Sequence, residues 1–239
     1  MKGPFIAETT LGLALSILSL LLLLFFGNLV SRKGQGRPYS PLSDFPFELG
    51  GERPSPWTRV PVYALAVAVL LLDSSLLFAC SDPDFSHLLV LGILLSALGL
   101  LKAVAMCFLF HVPAYRFKPH LGLFTVYAGL TGLSLVIASL ALMNLGKMMK
   151  ELLPAYEALP YVGMGILILF AILEFVLLFN PKLSSWPKLE AEMEEDGSIS
   201  TKRPKIFVLA ATEWATVGLD VLGAVFLGVF LLLLILPLM

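Results

Sequence analysis

Four ionisable side chains interrupt otherwise apolar stretches of this sequence, Asp73, Lys102, Glu174 and Asp220, and Glu213, nearer the edge of its run, is a candidate fifth. A charge at the centre of a membrane helix costs about 2.5–3.5 kcal/mol on insertion scales. Such a group persists where it is neutral, paired, or turned toward a cavity or another subunit. Acids and a lysine at that depth are the raw material of a proton relay, because each can take up or release a proton as its surroundings change. The alternative is a satisfied packing contact between helices or subunits, and Lys102 can pair with Asp73 inside the chain. Glu213 and Asp220 are seven residues apart, so they share a helix face but stand two turns apart, too far for a carboxylate dyad.

No catalytic constellation accompanies these groups. The sequence has no Ser-His-Asp order, no HExxH, no phosphate-binding loop and no CxxC. His87, His111 and His120 are too scattered for a ligand set: His111 falls at the edge of a helix, and His87 and His120 fall in turns. Cys80 and Cys107 stand near the ends of apolar runs, which is neither a disulfide framework nor a metal signature. No catalytic residue, metal or cofactor is therefore expected in the chain itself.

The elements that must position the charges are membrane helices. Of 239 residues, 58% are apolar, and no polar run is long enough to bury a core of its own. A net charge of −1 offers no basic surface for nucleic acid. The whole chain, 1–239, reads as a single all-α, polytopic membrane domain of about six transmembrane helices in contact with a lipid bilayer.

Residues 9–30 form the first span. A signal peptide is the competing reading, but the run is longer than a usual h-region, and Arg32 and Lys33 follow it rather than precede it. Residues 31–60 read as an irregular loop rich in Gly, Pro and Arg. Further helices are expected at 60–80, 88–112, 121–146 and 161–180. The fourth is rich in Gly, Ala and Ser, as a helix packed on protein is. The segment GKMMKELLPAYEALP reads as an amphipathic piece in the interface. The last apolar run, 206–238, exceeds the hydrocarbon thickness, so it is expected to tilt, kink or begin as an interfacial piece. The sixth helix proper is then 216–238, with Glu213 and Trp214 at the boundary. The acidic cluster at 190–196 is either a partner-docking surface or a solvated loop.

Basic residues fix an expected orientation. Arg32, Lys33, Arg37, Arg53, Arg59, Arg116, Lys118, Lys182, Lys188, Lys202, Arg203 and Lys205 all follow helices one, three or five. The opposite side has only Lys2, Lys147 and Lys150. In a cell membrane the positive-inside rule places both termini outside and the 31–60 loop in the cytoplasm.

One stretch carries a family resemblance. Pro46, Phe47, Glu48, Gly50 and Glu52 lead into a second helix holding Tyr63 and Asp73. This pattern resembles a small membrane component of proton-pumping NADH–quinone oxidoreductase, the one called subunit 3 in mitochondrial complex I. That family has a Pro-aromatic-Glu-Cys-Gly-x-Glu loop followed by a helix with Asp-x-Glu. Leu49 replaces the loop cysteine, Ser75 replaces the second acid, and the loop is about three residues shorter. The resembling region lies within 1–112, and 113–239 would add further helices, as in a divergent relative from a complex I-like or membrane-bound hydrogenase assembly.

The resemblance implies a non-catalytic subunit of an ion-translocating redox complex, with other membrane and iron–sulfur subunits as partners. Its loop (Glu48, Gly50, Gly51, Glu52 and Arg53) would face a partner at the junction of the redox and membrane arms. Asp73 would lie on an ion path with Lys102, Glu174, Asp220 and Glu213 as further members, Lys102 and Glu174 being the candidates to replace the missing acid. The alternatives are a stand-alone small transporter or channel and a pure assembly or anchor protein.

Overall fold

The computed structural model describes residues 2–35, 39–50, 56–113, 116–184, 190–193, 199–202, 205–235 and 237. Among them, six helices are long and apolar enough to cross a membrane. They are α1 (Lys2–Gln35), α2 (Pro56–Ala79), α3 (Leu89–Leu109), α4 (Phe117–Leu152), α5 (Ala158–Leu178) and α6 (Val208–Ile235). The protein is an all-α, multi-pass membrane protein, as its composition predicts. Helices satisfy every backbone donor and acceptor internally, which is the condition for crossing hydrocarbon. Outside the helices, β1 (Glu190–Met193) and β2 (Ile199–Lys202) pair as a short antiparallel ribbon.

Prolines and short turns set the helix ends. Pro56 opens α2, where a missing N–H costs nothing. Asp82 caps the 3-10 turn before α3, its carboxylate accepting from the Asp84 N–H at 3.2 Å. Pro154 begins the 3-10 turn between α4 and α5. Successive helices are joined mostly by short connections and pack as antiparallel neighbours. One end of the bundle therefore collects the ends of α1, α3 and α5 and the starts of α2, α4 and α6. The segment 39–50 lies over this end, where the Phe207 N–H donates to the Leu42 carbonyl at 2.7 Å.

α2 is central, packing against α1, α3 and α6. Two glycines one heptad apart let α3 lie close against it. A Cβ on Gly92 would stand 2.9 Å from the Leu77 Cα, and one on Gly99 would stand 2.8 Å from the Asp73 Cβ. Lys102, less than one turn beyond Gly99, is thereby brought within reach of Asp73. Gly132 plays a similar part between α4 and α5, where a Cβ would stand 3.1 Å from the Phe175 ring. This agrees with the protein-packed fourth helix expected from its small residues.

Several expected boundaries are corrected. The first helix extends past 9–30 at both ends. The loop expected at 31–60 is helical at 31–35 and again from Pro56, with a 3-10 turn at Pro46–Gly50. GKMMKEL is not a separate piece but the last two turns of α4. The final run is not an interfacial piece followed by a helix at 216–238. It is one continuous helix from Val208 to Ile235, about 42 Å by helical rise. Glu213 consequently sits inside the helix, in its second turn, and is wholly buried.

Candidate functional site: a buried polar ladder between α4 and α6

One face of α6 carries Glu213, Thr216 and Asp220, all at most 1% exposed. Their three- and four-residue spacing puts them in one row. The facing row on α4 holds His120 and Tyr127, both 0% exposed. Glu213 bonds His120 and Asp220 bonds Tyr127, so the two contacts form rungs separated by seven residues on each helix. The earlier residue of each row pairs with the earlier and the later with the later, so the two helices run in the same direction. By helical rise the rungs are about 10 Å apart along the axis.

The deeper rung belongs to a charge cluster drawn from four helices. Lys102 Nζ on α3 donates to Asp220 Oδ1 at 2.5 Å. The Tyr127 hydroxyl on α4 donates to Asp220 Oδ2 at 2.8 Å. Asp73 Oδ2 on α2 lies 2.8 Å from the same Lys102 Nζ, in contact but without hydrogen-bond alignment. Asp73 and Lys102 are each 2% exposed. Two carboxyls thus share one ammonium. Full ionisation leaves one negative charge uncompensated in a region of low dielectric, where isolated charge is costly. The cluster is electrically neutral when it holds one proton on an acid.

Between the rungs stands Glu174 of α5, 0% exposed. The Thr216 hydroxyl donates to its Oε1 at 2.8 Å, and its Oε2 has no hydrogen-bond partner among the described residues. Glu174 is near enough to interact electrostatically with Asp220 and Lys102.

The outer rung lies under the 39–50 segment. His120 Nε2 is 2.7 Å from Glu213 Oε1, and Nδ1 is 2.7 Å from the Val112 carbonyl. Phe45 and Phe47 present their rings edge-on to the imidazole, with centroids 5.7 Å away. Phe45 also packs on Phe207 at 4.7 Å. The segment is pinned by Tyr39, whose hydroxyl donates toward the Asp44 and Phe45 carbonyls and accepts from Trp214 Nε1–H at 2.8 Å. Burial pushes that hydroxyl well above the ordinary tyrosine range, so it stays a neutral donor.

Comparison with protein families, curated proteins and solved structures finds no match to this chain.

The five charges singled out in the sequence all lie in the bundle interior. Asp73, Lys102 and Asp220 form one cluster, which includes the Asp73–Lys102 contact that the sequence allows. Glu174 and Glu213 flank it with partners of their own. Glu213 and Asp220 do share a face of α6 without touching. Of the loop residues, Glu48 is half-buried and its Oε2 accepts from the Phe45 N–H at 2.8 Å, and Gly50 ends the 3-10 turn. Gly51, Glu52 and Arg53 lie outside the described residues, as do Glu194, Glu195 and Asp196 of the acidic cluster.

Three ladder members escape a reading of the sequence: His120, Tyr127 and Thr216. His120 is not a turn residue but lies in the first turn of α4, wholly buried. Its signal is present as spacing, since His120 and Tyr127 repeat the seven-residue interval of Glu213 and Asp220. No group of three or more His, Cys, Asp or Glu side chains suited to a metal ion occurs among the described residues.

Proposed function

We propose that this protein is a non-catalytic, proton-translocating membrane subunit, with the Asp73–Lys102–Asp220 cluster as the midpoint of its path. The observation that carries this reading is one buried cation shared by two buried carboxyls from different helices. Such a cluster stabilises little compared with an apolar core of the same volume, because desolvation offsets much of the Coulomb attraction. It does provide a site that gains or loses a proton without leaving the chain's interior. Asp220 already accepts two hydrogen bonds, so the exchangeable proton belongs on Asp73. The resemblance of 46–52 and Asp73 to the small complex I component supports placement in a complex I-like redox assembly, with the segment after Gly50 at the junction of its two arms. The distribution of basic residues supports a cytoplasmic position for that junction.

A specific observation favours a second reading, the stand-alone transporter. Asp73, Lys102, Asp220 and Tyr127 all come from one chain, so the cluster is assembled without a neighbouring subunit. Gentle solubilisation of the native protein followed by mass spectrometry separates the two. Co-purifying iron–sulfur and antiporter-like subunits support the redox complex, and a protein recovered alone supports the transporter. In a purified redox complex, Asp73→Asn is expected to keep electron transfer and lower proton uptake in proteoliposomes. Unchanged uptake per electron reduces Asp73 to a packing contact.

A further inference from the structure

The outer rung has features that a packing contact does not need. The Val112 carbonyl can only accept, so the hydrogen on His120 Nδ1 is fixed there. That leaves Nε2 facing a carboxyl oxygen at 2.7 Å, a distance that requires one proton between them. The proton sits either on the imidazole, giving an ion pair, or on Glu213, giving a neutral acid and a neutral ring. Both forms have the same net charge, so the pair can hold a shared proton without importing charge into the bundle. The second carboxyl oxygen, Glu213 Oε2, is buried with no hydrogen-bond partner among the described residues. This leaves an acceptor inside the bundle for a proton to leave by.

Position adds to this. His120 and Glu213 sit on the same two helices as Tyr127 and Asp220, one rung nearer the end where 39–50 lies. Thr216 and Glu174 occupy the interval between the rungs. Over the pair lie Phe45 and Phe47, which belong to an irregular segment containing a 3-10 turn. The titratable groups of that segment that interact electrostatically with this rung are Tyr39 and Glu48, with Asp44 beside Tyr39. Asp44 Oδ2 accepts from the Ser40 N–H and Glu48 Oε2 from the Phe45 N–H, each at 2.8 Å.

We propose that His120 and Glu213 form a proton-loading site through which the Asp73–Lys102–Asp220 cluster exchanges with water, and that the 39–50 segment is its cover. This rests on the reading of that cluster as proton-carrying. A proton arriving at Glu213 transfers along the face of α6, by way of Thr216 and Glu174, to the acid that lacks one. The pair is then reloaded from the side of the cover.

The test is infrared difference spectroscopy on the full chain in lipid nanodiscs, following the exchange of carboxylic protons after transfer to deuterated water. The Asp73 band is assigned by its loss in Asp73→Asn. In the native chain that band is expected to shift on deuteration. Glu213→Gln and, independently, His120→Gln are expected to slow the shift at least tenfold, with helical amide absorption unchanged as the control for folding. Phe45→Ala, which thins the cover, is expected to speed it. Native-rate exchange in either Gln variant overturns the loading site while leaving the cluster's role intact. An unchanged rate in Phe45→Ala overturns the cover. A native chain with no exchangeable Asp73 proton overturns both the loading site and the reading beneath it.

Discussion

Replacing Lys102 with methionine tests the charge arithmetic at the centre of the bundle. Methionine keeps much of the buried stem and removes only the cation that faces Asp73 and Asp220. Two carboxyls are then left against each other, with the Tyr127 hydroxyl still donating to Asp220. Removing one partner of a buried pair costs about 3–5 kcal/mol. Asp220→Asn is different, because Lys102 keeps Asp73 and the cluster stays neutral as one cation and one anion. The amide oxygen still accepts from the ammonium, but the amide nitrogen cannot accept from the second donor, so one hydrogen bond is lost and about 1–2 kcal/mol is the expected cost. The triple variant Asp73→Asn, Lys102→Met, Asp220→Asn carries no charge and is expected to recover most of the loss from Lys102→Met alone. Unfolding by sodium dodecyl sulfate in mixed micelles, followed by circular dichroism and tryptophan fluorescence, measures all three. Equal costs for Lys102→Met and Asp220→Asn, or a Lys102→Met cost under about 1 kcal/mol, would show a hydrated cluster and sink the reasoning.

Gly99→Ala is expected to push α3 off α2, because the new Cβ would meet the Asp73 Cβ at 2.8 Å; a loss of about 1–3 kcal/mol in the same unfolding assay is expected, and an unaltered stability refutes the close approach. Burial pushes the Cys80 thiol up to about 11, so in a Cys107→Ser background its alkylation at pH 8 should be roughly a hundredfold slower than for an ordinary thiol. The rate should climb about tenfold per pH unit as thiolate forms, and a plateau below pH 9 contradicts this. For orientation, a single cysteine at Ser40, with both native cysteines changed to serine, is expected to react in intact cells with membrane-permeant maleimide alone. Labelling by an impermeant reagent reverses the proposed topology.

The fold is legible in the sequence because its signal is length and apolarity, and both survive without knowledge of packing. The Asp73–Lys102 pair is legible for a related reason: each is the single strong charge in its apolar run, and the runs are adjacent hairpin partners. The role of Asp220 in the same cluster is not, because it depends on how α6 is rotated against α2, α3 and α4. That rotation is set by close contacts such as Gly228 against Leu72, which no periodicity announces. His120 reads as a turn residue because it follows PAYRFKP, yet Pro119 falls in the first turn of α4, where no intrahelical N–H bond is needed. The last apolar run reads as a broken helix because it is longer than the hydrocarbon is thick. The helix itself, Val208 to Ile235, contains no proline to break it, and a long helix is accommodated by tilt.

The position of the second acid bears on the proposed relation of this chain to the small complex I component. Where that family has a second carboxylate two residues after Asp73, this sequence has Ser75, and its hydroxyl turns back to the Leu72 carbonyl of its own helix at 2.6 Å. Ser75 therefore bonds within α2 rather than to the cluster. The second carboxylate beside Lys102 is Asp220 of α6, with Tyr127 of α4 donating to its far oxygen. On the proposed reading, the helices after residue 112 are not an appendage to a three-helix subunit. They contribute one of the two acids, the hydroxyl donor and both members of the outer rung. Truncation after α3 would remove all of these and leave Lys102 with Asp73 alone. On that reading, the proposed path needs α4 and α6 as well as α2 and α3.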